Sequence, residues 1–133
     1  MIDELERKLY EDFPELFRDC TAPITHSLMP FGCECGDGWE PIIREACTKL
    51  DVVRRDRNAT LRFVQIKEKF GSLRLYMTGY DDEVERIIMD AEEKSERTCE
   101  DCGAPGMIRE GGWLRCQCDD CAMEGKRWVH TKK

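Results

Sequence analysis

The sequence lacks any apolar run that approaches the length needed to span a bilayer. Its first thirteen residues are charged and amphipathic, and they do not follow the basic-then-apolar order of a secretory signal peptide. We therefore expect a cytoplasmic protein with no membrane partner. Internal repeats and low-complexity segments are also missing, so the 133 residues predict one domain, with or without a small appendage.

Cysteine, in contrast, is abundant, since the chain contains nine. A secreted chain with this many cysteines would be expected to carry disulfides. The odd count and the lack of an export signal favour free thiols and metal binding instead.

Charge is unevenly distributed along the chain. The net charge is −7, and residues 81–98 alone carry eight acids and three bases. Residues 59–80 carry one acid and four bases, and residues 122–133 have the same excess of bases. Because an acidic protein repels nucleic acid at long range, any binding of nucleic acid must be local to these two basic segments.

Helical periodicity dominates the first half of the sequence. Apolar residues at spacings of three and four predict amphipathic helices over residues 2–20 and 39–53, the first of them broken near Pro14. Asp37 and Glu40 have the spacing of a capping box at the start of the second helix.

The middle of the chain has the pattern of a β-hairpin followed by a helix. Residues 60–78 include a change of phase before Val64, which indicates a bulge or a strand buried on both faces. Phe70 and Gly71 supply the turn region of the hairpin. Asp81 or the residue after it caps a third helix, whose first turn is rich in acids.

Four cysteines near the C-terminus form two Cys-x-x-Cys pairs that are separated by fifteen residues. The first pair is Cys99 and Cys102, and the second is Cys118 and Cys121. This spacing is typical of a site in which four thiolates hold Zn²⁺ tetrahedrally. Gly103 allows the turn that aims backbone amides at the sulfurs, and the segment between the pairs predicts the short hairpin of a zinc ribbon.

A zinc ion enclosed by four sulfurs has no open position for water, so we expect a structural centre rather than a catalytic one. Cys116 is interpreted as a spare thiol, although it is an alternative to Cys118 as a ligand. The carboxylates beside the ligands should repel phosphate; they are Glu100, Asp101, Asp119 and Asp120.

The predicted fold class is α+β. Two N-terminal helices, a β-hairpin and a third helix form the main domain over residues 1–98. A small zinc ribbon follows over residues 99–125, and residues 126–133 form a basic tail.

Other cysteines allow two further interpretations. A second metal site can be drawn from Cys20, His26, Cys33 and Cys35, although only the last two lie close in sequence. Alternatively Cys35 is a nucleophile activated by His26, although no third orienting group is evident. The simplest alternative is that cysteines such as Cys47 are small apolar residues on buried helix faces.

The basic hairpin resembles a surface that combines aromatic rings with cations for nucleic acid. The same pattern fits an ordinary solvated face over a buried one. The basic tail, which includes Trp128, is the second candidate for nucleic-acid contact. The hairpin residues concerned are Arg62, Lys67, Lys69, Arg74 and Tyr76, with Phe70 at the turn.

Four motifs together resemble a family of small, largely uncharacterised proteins of bacteriophages and proteobacterial prophages. They are CGDGW (35–39), KEKFGSLR (67–74), ERTCEDCGAPG (96–106) and GGWLRCQCDDC (111–121). The resemblance implies a small α+β domain with a C-terminal zinc ribbon and a phage or mobile-element setting. It brings no established activity, and Cys33 and Cys116 are not part of its pattern.

We therefore expect a non-enzymatic zinc-binding protein that binds a protein of host or phage origin. The acidic helix over residues 81–96 would occupy a basic site on that partner, for example on a nucleic-acid enzyme or a defence complex, and so modulate or inhibit it. The alternative is a nucleic-acid-binding module that uses the hairpin residues 62–76 and the tail.

Overall fold

A computed structural model describes residues 1–110 and 114–123. Gly111 and Gly112, which lie midway in the predicted hairpin between the cysteine pairs, and the basic tail predicted at 126–133 lie outside these residues. None of the described helices is both long and apolar enough to cross a membrane.

The helices are α1 (Asp3–Asp12), α2 (Glu40–Arg57), α3 (Asp82–Ser95) and α4 (Asp119–Met123). The strands are β1 (Cys33–Glu34), β2 (Arg62–Lys69), β3 (Ser72–Thr78), β4 (Met107–Arg109) and β5 (Arg115–Gln117).

The mixed α+β class predicted from sequence is confirmed, but the N-terminal region differs from the prediction. Helix α1 ends at Asp12, two residues before Pro14, whose ring cannot continue the helix. The remainder of the predicted first helix contains only a 3-10 turn over Arg18–Thr21. The predicted capping box is wrong as well, because Asp37 Oδ1 accepts a hydrogen bond from the backbone nitrogen of Ile2 at 2.9 Å instead.

The central hairpin agrees with the sequence pattern. Strands β2 and β3 pair in antiparallel fashion, with a register shift between Phe63 and Gln65 that matches the predicted bulge. The chain turns at Phe70-Gly71, between the paired residues Lys69 and Ser72. Strand β1, which periodicity did not predict because it has only two residues, adds to β2 in parallel orientation.

The helices α2 and α3 pack on each other, and α3 also packs against β3. Asp81 caps α3 as predicted, because its Oδ1 accepts a hydrogen bond from the Val84 amide at 2.9 Å. Trp39 is fully buried beside the start of α2. The largest other side chains of the core are Phe17, Phe63, Met1, Leu9, Leu16, Met29, Ile43, Leu50, Leu61, Ile66 and Leu73.

The outer edge of β3 is covered by side chains that follow it in sequence. The Leu73 amide donates to Ser95 Oγ at 2.9 Å. The Tyr80 hydroxyl accepts from the Met77 amide at 3.3 Å and donates to the Leu75 carbonyl at 3.2 Å. With these backbone groups satisfied, this edge is a poor template for an added strand.

Candidate metal centre

The backbone around the first cysteine pair forms a tight turn. The Cys99 amide donates to the Ala104 carbonyl at 2.7 Å, and the Gly103 amide donates to the Cys99 carbonyl at 2.9 Å. Gly103 has φ +85°, a left-handed conformation that favours glycine and matches the turn expected from the sequence. The turn brings the sulfur of Cys102 back toward that of Cys99.

The second pair lies where strand β5 passes into helix α4. Strands β4 and β5 pair in antiparallel fashion and lead the chain back to the first pair. Cys118 follows β5 directly, and Cys121 lies on α4. The Cys121 amide donates to Cys118 Sγ at 3.4 Å, as in a turn that presents both sulfurs to one point.

All four sulfur atoms lie within 4.8 Å of one another, which makes this cluster a possible metal site. The sulfurs of Cys102 and Cys118 are 3.7 Å apart. Two sulfurs at ~2.3 Å from a tetrahedral zinc ion would be about 3.8 Å apart, so the spacing fits such an ion. None of the nine cysteines, all of which lie in the described ranges, forms a disulfide.

The thiols of the cluster have pKa values that are shifted in different directions. The hydrogen bond from the Cys121 amide lowers the pKa of Cys118, which stabilises its thiolate. Burial and hydrogen bonds to the neighbouring thiols raise the pKa of Cys121. A group of sulfurs this close cannot all ionise alone, because each thiolate disfavours the next, whereas a divalent metal removes this repulsion.

Cys116 is separate from this cluster. It is fully buried, and its thiol donates to the Thr98 carbonyl at 3.1 Å. Its sulfur is not in the group that could hold a metal, whereas that of Cys118 is. The structure therefore favours Cys118 as the ligand and makes Cys116 a core residue.

The part of the chain from Cys99 to Cys121, which we call the four-cysteine segment, begins in contact with the loop that precedes α2. The Gly38 amide donates to the Glu100 carbonyl at 2.7 Å, and the Gly36 amide donates to Glu100 Oε2 at 2.9 Å. A Cβ atom at Gly36 would lie 2.4 Å from the Glu100 carbonyl oxygen, and one at Gly38 would lie 2.2 Å from that of Cys99. Only glycine allows this approach of the two backbones.

Trp39 extends this contact into the hydrophobic core. Its indole nitrogen donates to the Thr98 carbonyl at 2.9 Å, directly before the first ligand. The same carbonyl accepts from the Cys116 thiol, so Thr98 links the indole to strand β5. The cluster of four cysteines and the core of the main domain therefore share contacts through one short segment of backbone.

The carboxylates beside the four cysteines, which we expect to repel phosphate, differ in their exposure, and Glu100 is buried. It is only 2% exposed, and burial raises its pKa to about 7 although the Gly36 amide opposes that change. Asp101 accepts from the Gln117 side chain at 2.7 Å and is mostly buried. Asp119 is exposed but pairs with Arg109 at 2.7 Å. Two of the four carboxylates that we expect to repel phosphate, Glu100 and Asp101, are therefore largely buried, and the repulsion itself stays a prediction.

These docking residues were missed from the sequence. The signal that could have found them is the alternation of glycine in the string CGDGW, where two glycines flank one acid. Glycine at such spacing indicates close approach of another backbone. Nothing in the sequence says which segment approaches.

The structure does not bring the proposed second metal site together. Among residues 1–110 and 114–123, the group with metal-ligand spacing is the C-terminal one. His26 is exposed on a loop, whereas Cys33 and Cys35 are fully buried. Cys20 lies in the 3-10 turn over Arg18–Thr21 and is partly exposed.

The structure also opposes the interpretation of Cys35 as a nucleophile. Burial raises the pKa of its thiol well above the ordinary value, which opposes the thiolate that a nucleophile requires. Its exposed partner His26 makes a backbone hydrogen bond to Pro23 and lies on a different loop. Cys47 is buried in α2, as expected for a small core residue.

The basic hairpin residues lie on one face of the sheet but differ in their partners. Arg62 pairs with Asp19 at 2.8 Å. Arg74 lies 3.5 Å from Glu92 of α3. Lys67 lies opposite Arg74 in the β2–β3 register, and Lys69 lies two residues farther along β2 on the same face. Tyr76 on β3 is 38% exposed. Two of the four predicted cations are therefore already neutralised within the fold.

Comparison with family models, with curated proteins and with solved structures gives no match for this chain. The resemblance to a family of phage and prophage proteins therefore stays a prediction from the four motifs. The functional argument rests on the site and on the surfaces around it.

Proposed function

We propose that this protein is a non-enzymatic interaction protein, stabilised by one zinc ion, whose helix α3 binds a basic surface on another protein. The zinc assignment is supported by the all-sulfur donor set, which suits a closed tetrahedral centre. Such a centre offers no position for a substrate, and it holds the C-terminal segment against the main domain. Chelated zinc and free buried thiols both fit the reducing interior of a cell.

The observation that carries the proposal is the exposed methionine on the acidic face of α3. Met89 is 57% exposed. Glu85 and Glu93 lie four residues before and four residues after it on α3. Glu96, the helical-conformation residue that caps the C-terminus of α3, lies seven after it, so the four side chains share one side. We call these four residues the Met89 face.

This face keeps charge that the fold does not use. Several other acids at α3 are paired internally, because the capping residue Asp81 and Glu83 contact Arg57, and Asp90 contacts Lys94. Within the Met89 face, Glu93 lies 3.7 Å from Arg97. Glu85 and Glu96 have no ion pair with any residue that the structure describes. A flexible apolar side chain that lies between these two carboxylates fits a partner that presents a basic rim around an apolar pocket.

Charge reversal tests this surface. The wild-type protein should capture a partner from nuclease-treated bacterial lysate. The double variant Glu85→Lys and Glu96→Lys should capture at least tenfold less of that partner. Met89→Ser should weaken the same interaction, because it removes the apolar contact without changing charge. Quantitative mass spectrometry of the captured proteins measures both effects.

A matched double variant on α1 provides the control. Glu4→Lys and Glu11→Lys change the net charge by the same amount at exposed positions of another helix. This variant should retain the partner. If both double variants lose it equally, the interaction depends on net charge alone and the assignment to α3 is wrong; if neither loses it, the partner binds elsewhere.

A further inference from the structure

The turn of the β2–β3 hairpin carries an aromatic residue in an unfavourable backbone conformation. Phe70 has φ +56° and Gly71 has φ +82°, as in a two-residue turn with both central residues left-handed. Such turns prefer asparagine, aspartate or glycine at the first position. Within the described residues, Phe70 is the one residue other than glycine with a positive φ.

The ring of Phe70 contributes little to the fold in return. The residue is 66% exposed. Its recorded ring contact is with the ammonium of Lys69, 5.7 Å from the ring centroid. A bulky side chain that is strained and outside the core is more readily explained by a role at the surface than by stability.

The turn itself is held in place from behind. The Gly71 amide donates to Glu68 Oε2 at 2.8 Å. A Cβ atom on Gly71 would lie 3.2 Å from Cγ2 of Ile108, which belongs to strand β4 of the four-cysteine segment. The Phe70 ring is therefore presented from a turn supported by the segment that the metal would organise.

Cations and a second aromatic ring lie along the same face. Lys67 and Lys69 have no ion pair with a described residue, although Glu34 on β1 is paired in register with Lys67. Tyr76 lies opposite Gln65 on this face. It lies four positions along the extended strand from Ser72 at the turn, a distance of about 14 Å.

We propose that this hairpin tip binds single-stranded nucleic acid, with the Phe70 ring stacked on a base and the ammonium groups of Lys67 and Lys69 at the phosphates. Base stacking on an exposed ring does not depend on sequence, and lysines supply the charge complementarity that the backbone needs. The residues of this tip are not those of the Met89 face, so this inference does not depend on the proposed protein partner.

Binding is tested with fluorescein-labelled oligo(dT) and oligo(rU) by anisotropy at low salt. The wild-type protein should bind with a weak, salt-dependent affinity whose logarithmic slope is about −1.4, as expected for two phosphates on a single strand. Phe70→Asn should weaken binding about tenfold or more, because stacking is lost. The same substitution should not lower the midpoint of thermal unfolding, because asparagine tolerates the left-handed turn.

Three further measurements separate the outcomes. Phe70→Trp should retain binding, Lys69→Gln should reduce the salt slope by about 0.7, and Phe31→Asn, which removes another exposed phenylalanine, should leave affinity unchanged. The proposal is overturned if the wild-type protein fails to bind either oligonucleotide, or if Phe70→Asn binds as well as wild type. It is also overturned if poly-glutamate binds the tip as tightly, since the surface would then suit an acidic protein.

Discussion

Removal of the metal should unfold the four-cysteine segment and loosen the loop that precedes α2. Structural zinc centres contribute on the order of 10 kcal/mol to folding, and a segment of about 25 residues cannot form its own core without one. The Gly38 amide donates to the Glu100 carbonyl, and the Trp39 indole donates to the Thr98 carbonyl. The protection of these N–H groups against hydrogen exchange should fall when those carbonyls move.

Hydrogen exchange before and after chelation measures this effect. Peptides covering residues 35–39 and 99–106 should lose protection together, whereas the paired strands β2 and β3 should stay protected. The variant Cys102→Ser should reproduce the chelated state without added chelator. Unchanged exchange in 35–39 after complete metal removal would show that the loop does not depend on the cluster.

Gly38→Ala should destabilise the protein by about 3 kcal/mol. The added Cβ would lie 2.2 Å from the Cys99 carbonyl oxygen and 2.5 Å from the Gly103 amide nitrogen. Both are backbone atoms, so neither can rotate away as a side chain would. Overpacking at such a contact typically costs 1–3 kcal/mol, and the hydrogen bond from the Gly38 amide is strained with it.

Urea unfolding of the zinc-loaded protein measures this loss of stability. Thr48→Ala, at an exposed position of α2, is the control and should change the free energy of unfolding by less than about 0.5 kcal/mol. Gly38→Ala keeps all four ligands, so it should still bind zinc, but more weakly, because the ligand turn is displaced. A variant as stable as Thr48→Ala would mean that the segment is not docked as described.

Regular patterns along the chain were sufficient to predict several parts of the fold. The apolar spacing of α2, the capping residue Asp81 and the bulge near Val64 depend on neighbours close in sequence. The four clustered cysteines follow from spacing too, because ligand geometry constrains it tightly. Features that depend on residues close in sequence are therefore the ones that a sequence predicts most directly.

Long-range docking was not predictable in the same way. Glu100 has the appearance of a solvated acid between two ligands, yet Gly36, 64 positions earlier, provides its buried hydrogen bond. Strand β1 has only two residues and exists because β2 pairs with it. The acids of α3 appeared uniform in sequence, whereas Arg57, Lys94 and Arg97 pair with some of them and leave Glu85 without an ion pair among the described residues. Each of these features depends on which segments meet.

The most direct test of the account is the zinc content of the purified protein and of two cysteine variants by native mass spectrometry. The wild-type chain should carry one zinc ion, Cys102→Ser should carry none, and Cys116→Ala, which removes a thiol outside the cluster, should still carry one. A wild-type chain without zinc, a chain with two ions, or loss of zinc in Cys116→Ala would contradict a single centre formed by Cys99, Cys102, Cys118 and Cys121.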